Sequence, residues 1–239
     1  MILEVPTYLM ALFVFITIGL WFLFRFALIR GIQKTGDPKP GKVMMLSFML
    51  GIWLMGTSLM AEQGNLQDFS QSPPMLFVLV GMAFVLTIVL AFSRFGLLVI
   101  EGAGIAWLIG FQSFRVLVEI FLYKMYQEGI VPVQMTFAGQ NFDILAGLSA
   151  ILMAWQFSRK QVGTKAVFFW NVIGLALLIN IMVVAVLSLP TSFRMFDNEP
   201  ANTFVTQMPF VWLPVFQVQA ALFGHLLIFR ALKRGITQA

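Results

Sequence analysis

Apolar stretches of about 16–24 residues alternate with short polar links along nearly the whole chain. An α-helix needs about 20 mainly apolar residues to cross the hydrocarbon core of a bilayer. Seven stretches are close to that length, at about 6–29, 43–60, 75–92, 105–123, 142–157, 166–189 and 209–229. The pattern predicts an all-α, polytopic membrane protein in which residues 1–239 form a single domain of seven transmembrane helices.

Composition supports this class and excludes several others. Of the 239 residues, 60% are hydrophobic and 10% are charged, whereas a soluble domain typically has about 25% charged residues. The chain has no cysteine and one histidine, so we expect neither a metal site nor a disulfide. Its net charge of +5 comes from residues at span ends, which argues against nucleic acid as a partner and makes the lipid bilayer the expected one.

The lysines and arginines are distributed very unevenly between the two sides. Twelve fall on one side, and only Lys124 and Arg194 fall on the other. The positive-inside rule assigns the side with twelve to the cytoplasm and the side with two to the outside. This predicts an amino terminus outside and a carboxyl terminus in the cytoplasm. The basic side carries Arg25, Arg30, Lys34, Lys39, Lys42, Arg94, Arg159, Lys160, Lys165, Arg230, Lys233 and Arg234.

A faint internal repeat suggests how the spans are arranged. Aligning Lys42 with Lys165 also aligns Gly51 with Gly174, and a basic segment ends each half. Spans 1–3 and 5–7 would then be parallel repeats joined by span 4, a 3+1+3 arrangement.

Span 4 carries the most informative polar residues. Gln112, Arg115 and Glu119 are spaced i, i+3 and i+7, so they form one stripe on a helix. An arginine at the bilayer centre costs at least about 2.5–3.5 kcal/mol, so the stripe is expected to face protein or trapped water. Arg115 and Glu119 form either a pair that binds a solute or a structural pair between helices. The preceding segment 96–106, with three glycines, is predicted to be an interfacial elbow.

Three further residues are candidates for a ligand site. Asp143 opens span 5, where it either caps the helix or joins Arg115 and Glu119 in an outward-facing polar site. Gln217 and His225 lie on span 7 after Pro214, which is expected to kink the helix and free a carbonyl group. A lone membrane histidine is either hydrogen-bonded structure or a ligand-binding group.

One link on the predicted outer side is expected to have structure of its own. Segment 124–141 is too polar and too rich in proline and glycine to span, and it is predicted to fold back as a short strand or lid.

No nucleophile elbow, phosphate-binding loop or metalloprotease helix is present, so no catalytic residue is assigned. Span 7 has no lysine before Lys233, which argues against a light-driven rhodopsin with covalently bound retinal. The many aromatic and methionine residues could also form a carotenoid, quinone or retinoid pocket, so the cofactor stays unknown.

Three segments resemble uncharacterised bacterial integral membrane proteins with seven helices. They are WLIGFQSFRVLVEIFLY, GIVPVQMTFAGQNFDILAG and FDNEPANTFVTQMPFVWLP, within the part from span 4 to span 7. The resemblance implies a multi-pass protein of the bacterial inner membrane and brings no known function with it.

Three functions are compatible with these residues. The first is binding or translocation of a small polar or anionic solute by Gln112, Arg115, Glu119 and Gln217 near the midplane. The second is a rhodopsin-like sensor or ligand-binding protein without retinal, which takes a small-molecule or lipid-like ligand. The third is an intramembrane enzyme acting on lipid, with Glu119, Asp143 or His225 as the acid or base. The oligomeric state and the coupling ion of a transporter leave no mark in the sequence.

Overall fold

The computed structural model describes residues 4–36 and 41–236, and in these ranges the chain is helical without strands. Six segments are long and apolar enough to cross a membrane: Thr7–Thr35, Val43–Glu62, Met75–Phe92, Ile105–Gln127, Thr164–Leu187 and Leu213–Lys233. The helices are α1 (Thr7–Thr35), α2 (Gly41–Glu62), α3 (Met75–Phe92), α4 (Arg94–Ala103), α5 (Ile105–Phe111), α6 (Phe114–Gln127), α7 (Asp143–Ser158), α8 (Thr164–Leu187) and α9 (Val218–Lys233). Lys39 of the predicted basic side lies outside the described residues, as does the side chain of Lys42.

The outer surface of the long helices is strongly apolar. Met44 is 77% exposed, and Phe15, Phe48 and Phe169 are each more than half exposed. Contiguous apolar surface of this extent is unusual on a soluble protein and is normally covered by a partner or a membrane. The exposed surface therefore agrees with the polytopic membrane fold that the sequence predicts.

Basic residues from several helix ends meet at one end of the bundle. Arg230 Nη1 donates to the carbonyl oxygens of Ala91 and Ser93, each at 2.6 Å, and Lys34 Nζ donates to the Glu101 carbonyl at 3.1 Å. The first contact joins α9 to the carboxyl end of α3, and the second joins the carboxyl ends of α1 and α4. Two residues of the predicted basic side thus lie at helix ends and bond backbone carbonyl groups there.

The predicted elbow before span 4 is a separate helix that packs inside the bundle. Gly104 ends α4 with a φ of 76°, a value that glycine adopts without strain. Leu98, Val99 and Ile100 are buried, so α4 packs against the rest of the bundle along this face. Small residues allow this close packing: a Cβ on Gly31 of α1 would overlap the Leu98 carbonyl oxygen, and one on Gly102 would overlap that of Ala27.

Helix α7 is short because its preceding loop descends into the bundle. Its 16 residues extend about 24 Å, less than the roughly 30 Å of a hydrocarbon core. The loop before it contains a 3₁₀ turn, Val133–Met135, instead of the predicted strand, and buries Val131, Gln134 and Thr136. Irregular backbone inside a membrane protein is tolerated where protein covers it, and these buried loop residues pack against the bundle beside the start of α7.

Residues 130–141 and 198–206 form a cap over the end of the bundle opposite the basic one. Gln134 ties the two segments together: its Oε1 accepts from Asn198 Nδ2 at 2.9 Å and its Nε2 donates to Ser188 Oγ at 3.0 Å. At the exposed rim, Arg194 donates to Glu199 Oε1 at 2.9 Å and thereby lowers the pKa of Glu199. The two segments together, here named the outer cap, cover that end of the bundle.

Candidate functional site

The polar centre of the molecule begins at a break in the fourth predicted span. Helix α5 ends at Phe111 and α6 begins at Phe114, and hydrogen bonds of the tighter i to i−3 type cross Gln112 and Ser113. Arg115 is the eleventh of the 23 residues of Ile105–Gln127, so it lies at the middle of the span. Gln112 lies in this break, Arg115 and Glu119 follow it on α6, and all three side chains are buried.

Arg115 is 2% exposed and all of its donor groups are engaged. Nε donates to Asp143 Oδ2 at 2.6 Å and Nη2 donates to Asp143 Oδ1. Both Nη atoms donate to the Gly174 carbonyl oxygen at 3.2 Å, and Nη1 also contacts His225 Nε2 at 3.0 Å. A guanidinium has five N–H groups, and these five contacts account for all of them.

The ion pair therefore joins α6 to α7 instead of lying within α6. The sequence analysis paired Arg115 with Glu119 and gave Asp143 the alternatives of a cap or a member of the polar site. In the structure Asp143 is the first residue of α7 and binds Arg115 in the two-pronged geometry that arginine and carboxylate groups favour. This pair fixes the depth at which α7 begins.

His225 has its tautomer set by its two neighbours. Nδ1 lies 2.7 Å from Asn171 Oδ1, while Asn171 Nδ2 donates to the His225 carbonyl oxygen at 3.0 Å. Since Arg115 has no acceptor, Nε2 accepts from it and Nδ1 carries the proton. With this tautomer, His225 of α9 connects Arg115 of α6 to Asn171 of α8.

Glycines on three helices make room for this cluster. A Cβ on Gly147 of α7 would lie 2.7 Å from Val116 Cγ2, and one on Gly174 of α8 would lie 2.8 Å from His225 Cε1. Gly224 of α9 packs against Gln112. These contacts are closer than a side chain allows, so α7, α8 and α9 surround Arg115 because small residues stand at the contact positions.

Glu119 is buried one turn beyond Arg115 and has a different partner. Asn141 Nδ2 donates to Glu119 Oε1 at 2.6 Å and to the Met135 carbonyl oxygen at 3.0 Å, while Asn141 Oδ1 accepts from the Asp143 backbone N–H at 3.1 Å. Glu119 Oε2 has no hydrogen-bond partner among the described residues. Asn141 therefore anchors the outer cap to α6 and positions the start of α7.

The two candidate glutamines lie apart from the ion pair. Gln112 Nε2 donates to the Ala221 carbonyl oxygen at 3.0 Å, which joins the helix break to α9. Gln217 ends the π-helical turn Leu213–Gln217, which contains Pro214, and its Nε2 donates to Thr17 Oγ1 at 2.8 Å. Gln217 lines the cavity described next, whereas Gln112 does not.

A cavity of about 190 Å³ lies beside the cluster, between α3, α6, α8 and the start of the seventh predicted span. Its wall is mainly apolar and includes Phe77, Val80 and Phe84 of α3, which are half-buried, and Val186 of α8, which is exposed. The cavity therefore opens toward the lipid-facing side between α3 and α8. Its polar lining residues are Arg115, Glu119, Asp143, Asn202 and Gln217.

Three side chains of this wall have a buried oxygen without a hydrogen-bond partner among the described residues. The atoms are Glu119 Oε2, Asn202 Oδ1 and Gln217 Oε1. Each amide directs its NH₂ group to a protein acceptor, Asn202 to the Ala185 carbonyl and Gln217 to Thr17. Sequence reasoning did not find Asn202, because only the folding of the outer cap brings it to the cavity. Within the described part of the chain, no group of three potential metal ligands occurs.

Comparison with known proteins identifies a family but no activity. Residues 72–233 match a family described as a domain of unknown function, DUF8737. Neither the curated proteins nor the solved structures include a match. The matched segment begins just before α3 and includes every residue of the Arg115 cluster and of the cavity wall. Because the match covers 162 of the 239 residues, the chain belongs to the DUF8737 family.

Proposed function

We propose that this protein is a membrane-embedded binding protein for a small, largely apolar molecule that enters the cavity beside Arg115 from the bilayer. The observation that carries the proposal is the combination of an apolar cavity with three lining residues that each have a buried oxygen without a partner among the described residues. Buried polar atoms usually have partners, and ligand pockets typically combine an apolar wall with a few polar groups. An occupant that donates hydrogen bonds would supply the missing partners.

The state of Arg115 favours this function over binding or translocation of an anion. All five of its N–H groups are used by Asp143, Gly174 and His225, so an anionic solute would have to displace a buried carboxylate. The same contacts disfavour an enzyme acting on lipid, because both carboxylate oxygens of Asp143 and both ring nitrogens of His225 already have partners. Glu119 then remains without a second acid or base.

The size of the cavity limits its occupant. An engineered cavity of about 150 Å³ in another protein binds benzene, and the cavity here is about 190 Å³. A single aromatic ring with one small substituent, or a chain of similar volume, fits this space.

Filling the cavity is expected to abolish binding. Ala185 lines the cavity on α8, whereas Ala176 is exposed on the same helix and lies outside the cavity wall. The Ala185→Phe variant should lose the binding of toluene, benzyl alcohol and benzylamine alike, because the added ring occupies their volume. Ala176→Phe should bind as the wild type does.

The measurement is equilibrium dialysis of the purified protein against one nonionic detergent. Partition of the probes into micelles cancels in the difference between the wild type and Ala185→Phe. If none of the three probes binds the wild type or Ala176→Phe more than it binds Ala185→Phe, the proposed function is wrong.

The proposed setting is a bacterial inner membrane crossed seven times, with the amino terminus outside and the carboxyl terminus in the cytoplasm. Six long apolar helices support a multi-pass protein, and the short α7 with its descending loop is proposed as the seventh crossing. The resemblance to bacterial membrane proteins and the excess of lysine and arginine at one end support the membrane and the orientation.

Single cysteines test this orientation directly because the natural chain has none. Gln71 and Gln161 are both exposed and lie in links between helices. In spheroplasts of a bacterial host, a membrane-impermeant maleimide should label Gln71→Cys at once and Gln161→Cys only after permeabilisation. Labelling of both variants, or of Gln161→Cys alone, in intact spheroplasts would contradict the proposed topology.

A further inference from the structure

The cavity wall has more acidic than basic side chains, and this limits the chemical class of the ligand. Among its lining residues, the charged side chains are Arg115, Asp143 and Glu119. Arg115 and Asp143 neutralise each other through two hydrogen bonds. Glu119, in contrast, forms no ion pair with any described residue and receives one amide donor, from Asn141. The wall therefore has one carboxyl group in excess.

Resting on the proposed function, we infer that the natural ligand is a small apolar amine that binds as a cation, with its ammonium group directed to Glu119. An ammonium group has three N–H donors and no acceptor. Three residues that line the cavity have a buried acceptor that lacks a donor among the described residues, namely Glu119 Oε2, Gln217 Oε1 and Asn202 Oδ1. A carboxylate also binds an ionised donor more strongly than a neutral one.

The remainder of the wall suits the apolar part of such an amine. Phe77, Phe84 and Phe114 line the cavity together with the aliphatic residues Leu178 and Met182. Aromatic rings attract cations as well as apolar groups. An acidic or zwitterionic ligand would instead bring a second negative charge next to Glu119, while the donors of Arg115 are already engaged.

The test compares three probes of nearly equal shape at neutral pH: benzylamine, which is then a cation, benzyl alcohol and toluene. Their binding is measured by equilibrium dialysis, with the value for Ala185→Phe subtracted. We expect the wild type to bind benzylamine about ten-fold more tightly than benzyl alcohol, the size of one charge-assisted hydrogen bond. Toluene should bind most weakly.

Glu119→Gln removes the carboxylate and retains an oxygen that accepts from Asn141. It should weaken benzylamine binding about ten-fold and leave benzyl alcohol within about three-fold, since an alcohol both donates and accepts. Retained alcohol binding also shows that the variant has kept its cavity. Glu199→Gln, at an exposed carboxylate of the outer cap, is the matched control and should leave all three affinities unchanged.

The outcomes separate this inference from the proposed function. If the wild type binds benzylamine no more tightly than benzyl alcohol, the amine inference is wrong, whereas cavity-dependent binding of the alcohol or of toluene still supports the proposed function. If a folded Glu119→Gln variant still preferred benzylamine to benzyl alcohol, the amine inference would also be wrong. If no probe binds in a manner that depends on the cavity, both proposals fail.

Discussion

Asp143→Asn is expected to lower the free energy of unfolding by about 3–5 kcal/mol, the usual cost of breaking a buried ion pair by removing one partner. The amide retains the shape of the carboxylate but leaves the Arg115 guanidinium, which is 2% exposed, without a counter-charge. Contacts with α7, α8 and α9 hold the guanidinium in this buried position. Unfolding in mixed micelles of a nonionic detergent and dodecyl sulfate measures the loss.

Two controls distinguish the buried pair from charge alone. Glu199→Gln alters the ion pair with Arg194 on the exposed rim and should cost no more than about 1 kcal/mol, as surface pairs do. The double variant Arg115→Met, Asp143→Leu should recover part of the stability lost in Asp143→Asn, because apolar residues replace a buried pair at little cost. Equal losses in Asp143→Asn and Glu199→Gln would show that the Arg115 pair is solvated.

Hydrophobic pattern and charge distribution predicted the class of fold because both follow from contact with the bilayer. A segment must be apolar over the full hydrocarbon thickness whatever its neighbours are. The burial of Arg115 and Glu119 follows in the same way, because a charge in lipid is costly, and both side chains are 2% exposed. Both inferences follow from the properties of the lipid bilayer and do not require knowledge of which residues pack together.

The hydrogen-bond partners of Arg115 and Glu119 could not be predicted from the spacing of residues along the chain. Arg115 and Glu119 are four residues apart, which favours a pair on one regular helix, but Asp143 and Asn141 supply better-placed partners from another segment. That choice depends on how deeply the loop before α7 enters the bundle. The sequence shows that this loop is polar but not how deeply it enters the bundle. The expectation of a strand or lid therefore did not reveal that the loop supplies a partner to Glu119.

The cavity likewise depends on tertiary structure. Glu119 and Gln217 were candidates because they are polar residues within apolar spans, whereas Asn202 lies in a polar link where asparagine is ordinary. Its amide becomes notable only because the outer cap buries it, with Nδ2 bonded to the Ala185 carbonyl at 3.0 Å. A polar residue in a span is visible in a sequence, but a link residue that folds into the bundle is not.

Gly31→Ala is expected to destabilise the protein by about 1–3 kcal/mol, the usual cost of inserting a methyl group into a well-packed contact. The new Cβ would overlap the carbonyl oxygen of Leu98, which belongs to the backbone of α4 and cannot rotate away. Helices α1 and α4 would have to separate along the line from Gly31 to Gly102. Thermal unfolding in detergent should show a lower midpoint for the variant.

Gly19→Ala provides the control on the same helix, because nothing lies within 4 Å of the Cβ that it would add. Alanine is a better helix former than glycine by up to about 1 kcal/mol, so this variant should be as stable as the wild type or slightly more stable. The two substitutions change helix propensity equally. The difference in stability between the two variants therefore measures the effect on the α1–α4 contact. If Gly31→Ala were as stable as Gly19→Ala, α4 would not pack against α1 through its backbone, and the break at Gly104 would have to be explained by an interfacial elbow.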